Sequence, residues 1–580
     1  MSQDPSPTPD PSPVGTGDRS GYSLPRSDGG GLGWGLLLAA LFIAAFVYTY
    51  PGTFAPLNIY DEGIIVYGAA RIMRGELPYR DFWTQYSPGQ FYTLAALFTV
   101  FGKTILVERL WDVASRALLS VAIYLVASQL SSRITALFAW ALSVIWLAYY
   151  GFFGYPIFQG LMFSFLSLYF VLRSLTSDQI PRRDLIAAGV FLGLAALFRH
   201  DMAIYVGVSE VIVLIAFAIS QHTSDTKPGF APQKAMQKPG LFARLYPVLA
   251  TALVIITPAA LFFLFTTPIH ELAQQLFIFP LIEFPKVRDL PFPPLTGSAQ
   301  NLPFYLPFLI YGLAVLVVVV RMAHRQTVNL ELAHGLRTAK DWPDEKLTQD
   351  RARYWGALLI ILFGLFGFNQ ARVRSDLIHT PHFFLAAIAL LPFIVHSFRQ
   401  ADKSGSAFVS ILAVLIALLL TTTPLTWHAK MLDQRKESAL LIKQSPPIAA
   451  GALMSYEQRF LVSHLQKTIK PGDMLYIGLT HHDRVFANDV MMYFLMDVRS
   501  PTRYHELHPG LVNTLPVQQE MVVDLERSSP NIVVLSNMFE GAREPNDSSQ
   551  SSGVKLLDEY IQAHYRLTLI NGSYRVYKRK

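Results

Sequence analysis

The chain has 580 residues, of which 52% are hydrophobic and only 15% charged, a balance that excludes a soluble enzyme of this size and points to a protein that crosses a membrane many times. It has no cysteine, so there is no disulfide framework, thiolate metal site or cysteine nucleophile. The net charge of +7 lies largely in short loops between apolar runs, which speaks to membrane orientation before nucleic-acid binding.

Residues 1–32 are rich in Pro, Ser, Asp and Gly, with Pro5, Pro7, Pro9, Pro11 and Pro13 at every second position. They read as a disordered cytoplasmic tail. The tail lacks the basic start of a cleaved leader, so the first apolar run is expected to stay as a span. Crossing ~30 Å of hydrocarbon takes about 20 residues of helix. Eleven runs qualify, near 33–50, 109–130, 134–150, 158–173, 185–199, 202–220, 246–265, 303–320, 354–370, 381–397 and 406–423. Residues 86–102 are apolar too, but they are short and begin with Pro88-Gly89. They read as a juxtamembrane helix inside a first external loop, 51–108. With the N-terminus inside, the cytoplasmic loops collect the basic residues: Arg133, then Arg173, Arg182 and Arg183, then Lys227, Lys234, Lys238 and Arg244, then Arg321 to Arg353, then Arg399 and Lys403. That is the positive-inside pattern, and counting 86–102 as a span would reverse it.

Beyond the membrane domain, 33–425, the chain changes character. Met474 to Gly478 and Asn531 to Leu535 read as strands, 515–527 as a helix, and Tyr565 to Lys578 as a hairpin turning at Asn571-Gly572. The expected fold is therefore a polytopic α-helical membrane protein of about eleven spans, with a C-terminal extracytoplasmic soluble α/β domain over 430–580.

Three charged groups fall on the external side. Asp61-Glu62 follows the first span by about ten residues. With Asn58 as a cap, the two acids would complement the dipole of a helix over 61–74. Equally, a carboxylate at the membrane surface could take a proton from an attacking hydroxyl or amide. Arg199-His200-Asp201 joins two spans: either Arg199 snorkels against Asp201, or it offers a cation to a lipid phosphate with His200 or Asp201 orienting it. The segment 369–382 holds Arg372, Arg374, Asp376, His379 and His382 against the charge bias. Guanidinium groups suit phosphate oxygens, and Asp376 and His379 could share a helix face. The loop 266–302, with Glu271, Glu283, Lys286, Arg288 and Asp289, reads as an irregular segment, either a mobile substrate loop or a rigid exposed one. The histidines His481, His482, His505 and His508 fit surface turns better than a metal site.

The layout resembles the GT-C superfamily of membrane glycosyltransferases, the group of protein O-mannosyltransferases, lipid A aminoarabinose transferases and related bacterial enzymes. The resemblance rests on Asp61-Glu62-Gly63, on Tyr67 to Trp83, and on Tyr86-Ser87-Pro88-Gly89. It implies an external active site under the first loop, a polyprenyl-phosphate-linked sugar as donor, and a lipid, glycan or protein acceptor. It maps the family's acid onto Asp61, with Glu62 beside it. Gln85-Tyr86-Ser87 stands where some members carry a lysine, and the loop Tyr149 to Gln159 lacks the second acid some members have. A divalent cation is thus left open as a cofactor, with no residue assigned to it.

The expected activity is inverting glycosyl transfer at the bilayer of a bacterial inner membrane, without nucleic acid. Asp61 is the general base, Glu62 orients it or replaces it, and Arg199, Arg372 and Arg374 hold the donor phosphate. His200, Asp201, Asp376 and His379 orient these groups or the acceptor. The competing class is a transporter or lipid flippase, which would place ionisable groups near mid-membrane and in repeated halves. A non-catalytic assembly protein is a third reading.

Overall fold

The computed structural model describes residues 31–152, 154–176, 181–222, 241–295, 301–333, 344–399, 403–443 and 445–580. Most of the tail expected over 1–32 and the basic residues Lys227, Lys234, Lys238, Arg337 and Lys340 lie outside them. Contacts divide the chain into Met1–Leu41, which holds the start of the first helix, and Phe42–Lys580, which holds every other element.

The helices come in chain order: α1 Gly31–Thr49, α2 Asp61–Met73, α3 Gly89–Phe101, α4 Ile105–Leu130, α5 Arg133–Tyr149, α6 Ile157–Leu175, α7 Arg182–Phe198, α8 His200–His222 and α9 Leu241–Thr266. After the short α10 (Ile269–Ala273), a π-helical stretch Gln274–Glu283 and α11 (Phe284–Arg288) come α12 Leu302–Ala333, α13 Asp344–Val373, α14 Pro381–Arg399 and α15 Lys403–Lys443. Among the described residues, eight helices are long and apolar enough to cross a membrane. The three other expected spans form α5, α7 and α15. α3, capped by Pro88 and ended by Gly102 at φ +92°, is about 20 Å long, too short to cross. The loop 266–302, expected as irregular, is largely helical. Its Leu290 pairs with Arg374, so it lies along the 372–376 segment.

The span expected at 109–130 starts earlier, at Ile105, and carries Glu108, Arg109, Asp112 and Arg116, all buried. Arg116 pairs with Asp112 at 2.7 Å and donates to the carbonyls of Leu147, Tyr150 and Gly151. The pair lies within α4, and the guanidinium's bonds to those carbonyls tie α4 to the end of α5, which is how Asp112 and Arg116 are tolerated in an otherwise apolar helix.

The C-terminal domain is a four-stranded sheet flanked by helices. β1 (Tyr476–Leu479) runs parallel to β2 (Ile532–Ser536), and the hairpin β3 (Tyr565–Asn571) and β4 (Tyr574–Arg579) adds antiparallel strands in the order β1-β2-β4-β3. Gly572 supplies the positive φ, +55°, at the hairpin turn. Helices α16 (Tyr456–Leu465), α17 (Met491–Met496), α18 (Leu515–Ser528) and α19 (Leu556–His564) complete it.

This domain and the first loop share one apolar core. Ile64, Ile65, Tyr67, Phe91 and Leu94 of α2 and α3 pack with Leu461, Ile477, Met491, Phe494 and Val534. Gly63 lets the α2 and α17 backbones meet, since a Cβ there would sit 2.5 Å from the Met491 amide nitrogen. Met491 donates to the Ile59 carbonyl at 2.8 Å, and Tyr67 stacks on Tyr493 at 4.9 Å.

Candidate functional site

Asp61 opens α2, and the residues before it hold it in place. The Asn58 side-chain oxygen accepts from the backbone amides of Tyr60 and Asp61 at 3.2 and 3.0 Å, while its amide donates to Asp61 Oδ2 at 3.0 Å. Asn58 thus caps the turn, as its position suggested. The hydroxyl of Tyr155, from the loop between α5 and α6, donates to Asp61 Oδ1. Burial raises the Asp61 carboxyl above its ordinary range, and the Tyr155 and Asn58 hydrogen bonds and the nearby Arg288 charge hold that rise back. Asp61 and Glu62 thus lie in the first turn of α2, as the dipole reading expects, and Asn58 closes the turn before its N-cap, Tyr60.

Glu62 faces the other way. It is wholly buried, with Oε1 2.6 Å from Arg109 Nε and Oε2 2.9 Å from Arg109 Nη2. Oε2 also accepts from the Asn58 backbone amide at 3.2 Å. Arg109 donates further to the carbonyls of Thr53, Ala55 and Pro56. The geometry fits the orienting role and leaves Glu62 no free oxygen to serve as a second base.

On the far side of Asp61 stand the loop arginines. Arg374 donates to Asp376 Oδ2 at 2.9 Å and to the Arg288 carbonyl at 2.9 Å. It also forms a two-bonded pair with Glu544 of the C-terminal domain, at 2.6 and 3.0 Å. Asp376 meets His379 at 2.5 Å, so these two share a face as their spacing predicts. Arg288 stacks on Phe486 at 4.8 Å, and its buried Nε has no hydrogen-bond partner. Burial, with Arg374 beside it, pulls the Arg288 pKa below its ordinary value. Arg372, expected beside Arg374 on the donor phosphate, stands apart from it. It is exposed, its guanidinium rests on Asn369 Oδ1 at 3.0 and 3.3 Å, and it is not part of this group.

Arg199, His200 and Asp201 form a second group. Arg199 is held two-handed by Asp201 at 2.8 and 2.5 Å, and Gln370 donates to the same carboxylate at 2.7 Å. His200 Nδ1 meets Ser87 Oγ at 2.9 Å. Gly89 is required here, because a Cβ would lie 2.6 Å from the Leu197 carbonyl oxygen. The Ser87-Pro88-Gly89 segment thus sits on the α7–α8 junction. Tyr86 links the two groups: its ring lies 4.9 Å from that of Tyr155, and Ser87 follows it. The buried His382, with Nε2 unpartnered, also senses Arg199 and Asp201. A cavity of about 290 Å³ opens between the end of α5, the start of α12 and the middle of α15, lined by Trp146, Tyr149, Phe304, Leu419, Leu420 and Asp376. Asp376 is the one member of the predicted site on its wall.

His481 is exposed, 3.2 Å from Glu540, as a surface position would be, but His482, His505 and His508 are buried. His482 is buried between Asp558 at 2.6 Å and the Tyr476 hydroxyl at 2.8 Å. His505 lies 3.3 Å from Arg71, and His508 bridges the Tyr60 hydroxyl at 3.1 Å and Glu506 at 3.0 Å. Both belong to the interface with the first loop. Among the described residues no three His, Asp or Glu side chains converge to hold a metal ion. The residues around Asp61 do not form a cation-binding set, since the neighbouring carboxylates Glu62 and Asp376 are occupied by Arg109 and by Arg374 and His379.

Tyr155, Arg288 and Glu544 were not singled out from sequence. Tyr155 lies in a loop noted only for lacking an acid, and Arg288 was one charge among five in its loop. A signal did exist for Arg288: with Lys286 it stands against the charge bias of the external connections.

Residues 85–229 match the family model of dolichyl-phosphate-mannose-protein mannosyltransferases. No curated protein matches the chain by sequence. In structure the chain is similar to the archaeal oligosaccharyltransferase AglB from Archaeoglobus fulgidus in complex with an inhibitory peptide and a dolichol-phosphate. That match has a TM-score of 0.50 and 11% identity, over 95% of this chain and 75% of that one. ArnT from Cupriavidus metallidurans bound to undecaprenyl phosphate matches with a TM-score of 0.48 and 12% identity, over 94% and 98% of the two chains.

Proposed function

We propose that this chain, an integral membrane protein with the GT-C glycosyltransferase fold, transfers a sugar from a polyprenyl phosphate to an acceptor on the outer face of a bacterial inner membrane. The observation that carries the proposal is the setting of Asp61, whose carboxylate is held by Tyr155 and Asn58 with the charge of Arg288 near enough to lower its pKa. The Nε hydrogen of that guanidinium has no partner.

The acceptor oxygen or nitrogen attacks the anomeric carbon as the bond from that carbon to the phosphate oxygen breaks. Asp61 takes the acceptor proton, and the bonding pair leaves with the lipid phosphate. One displacement inverts the anomeric centre. The transition state needs no proton on the leaving group, because phosphate is a stable anion. It needs cations where charge collects, and we assign that part to Arg288 and Arg374. Arg199, already matched by Asp201, serves through Ser87 and His200 to hold the Tyr86 segment. The matched segment 85–229 and the dolichol-phosphate in the similar archaeal enzyme support a lipid-phosphate donor.

The test is Asp61→Asn in membranes supplied with a panel of radiolabelled undecaprenyl-phosphate sugars. Transfer should fall by about 10²–10⁴-fold, the usual contribution of a general base. A variant with wild-type transfer rejects Asp61 as the base.

A further inference from the structure

Glu544 occupies the place a phosphate would take. It lies on a largely exposed segment of the C-terminal domain between β2 and a short 3-10 turn at Asp547–Ser549. Its two oxygens fill the fork of Arg374 at 2.6 and 3.0 Å, and Oε2 stands 3.6 Å from Arg288 Nε. The second distance is too long for a hydrogen bond, which is why that buried Nε is left unpartnered.

A carboxylate is planar and has two oxygens. It can satisfy one guanidinium in full and only approach the second. A phosphoryl group is tetrahedral, and its terminal oxygens, two on the sugar-linked diester donor and three on the monoester left after transfer, diverge so that they can bridge two guanidiniums at once. Arg374 would not be set adrift by the exchange, because Asp376 and the Arg288 carbonyl keep hold of it. Glu544 itself is retained by contacts of modest strength, with Asn546 on Oε2 at 2.9 Å and Ser549 on its backbone. Arg374 and Asn546 keep its carboxyl below the ordinary range, so it is ionised at neutral pH and competes as an anion.

We propose that Glu544 is a built-in counter-ion for the donor-phosphate seat of Arg288 and Arg374, displaced when a polyprenyl phosphate binds. The proposal rests on the glycosyltransferase reading above and adds to it a residue that sets donor affinity from the C-terminal domain. In the unliganded protein the seat is closed by the protein's own anion. Two bare guanidiniums side by side would repel each other and attract any phosphate in solution, whereas Glu544 yields only to an anion that satisfies both.

The experiment measures binding of undecaprenyl phosphate, with undecaprenol as the uncharged control, to the full-length protein in detergent. Wild type, Glu544→Gln and Glu544→Asp are compared, each checked for wild-type elution. If the seat is open about a tenth of the time in the wild type, freeing it tightens undecaprenyl phosphate binding roughly tenfold, and undecaprenol binding does not change. Glu544→Asp, whose shorter arm reaches the fork poorly, should fall between and keeps the comparison available if Glu544→Gln does not fold. Equal or weaker binding by the variants, with the wild type still preferring the phosphate, overturns the counter-ion role and makes Glu544 a positioning residue. A wild type that does not distinguish undecaprenyl phosphate from undecaprenol overturns the donor-phosphate seat itself.

Discussion

Glu62→Gln separates holding the site from acting in it. Glu62 and Arg109 are wholly buried, and Arg109 makes five hydrogen bonds, two to Glu62 and three to the carbonyls of Thr53, Ala55 and Pro56. The amide of glutamine removes the charge and turns a donor toward a guanidinium that can only donate. Arg109 is left as a buried, unpaired cation, at a cost of about 3–5 kcal/mol. Arg109→Met alone leaves the opposite charge uncompensated and three carbonyls without a donor, at a similar cost. The double variant Glu62→Leu, Arg109→Met should lose less than the sum of the single losses, with a coupling of about 2–3 kcal/mol. Unfolding in mixed detergent–SDS micelles, followed by circular dichroism, measures all three. If Glu62→Gln unfolds like the wild type yet has lost sugar transfer, the reasoning fails and Glu62 is a reacting group.

The same geometry sets four other outcomes. Asp61 must be ionised to accept a proton, and its pKa is raised, so transfer should be lost with falling pH at a value above that of an ordinary aspartate. Tyr155→Phe removes a hydrogen bond that favours the carboxylate and should move this acid limb to still higher pH, as a pH–rate profile would show. Arg288→Ala should cost about 10²-fold or more in transfer, in the range of losing one charge-stabilising donor, while Arg372→Ala, on the exposed side, should stay within about threefold of wild type. Gly63→Ala drives a methyl group into the Met491 backbone and should destabilise the first-loop interface by about 1–3 kcal/mol; faster proteolytic release of the C-terminal domain is the readout.

The membrane helices were legible because burial in lipid writes long apolar runs into a chain, and the hairpin at Asn571-Gly572 because its turn needs particular residues. Asp61 was legible as a charge out of place. Arg116 could have been read as well, since Asp112 and Arg116 have the i, i+4 spacing of a paired charge within an apolar helix, whereas Arg109 finds its partner, Glu62, 47 positions away. What no local pattern reveals is which distant residues meet. Tyr155 reaches Asp61 across 94 positions and Glu544 reaches Arg374 across 170. His505 and His508 resemble surface residues until the first loop is seen to cover them. The split between Arg372 and Arg374 comes at a helix end, for α13 stops at Val373 and Arg374, just past it, bridges Leu290 and meets Glu544.

The core shared by α2, α3 and the C-terminal domain also fixes the order in which the molecule can be completed. Ile64, Ile65 and Tyr67 are synthesised early, and their covering residues around Met491 to Met496 come more than four hundred positions later. At ordinary elongation rates of about 5–20 residues per second, the gap lasts roughly 20–85 s. For that time the first loop has an apolar face and no partner. The helix that carries Asp61 therefore gains its outer packing only near the end of biosynthesis, and a chain truncated before β1 would keep Asn58 and Tyr155 on the acid but lose the core beneath α2.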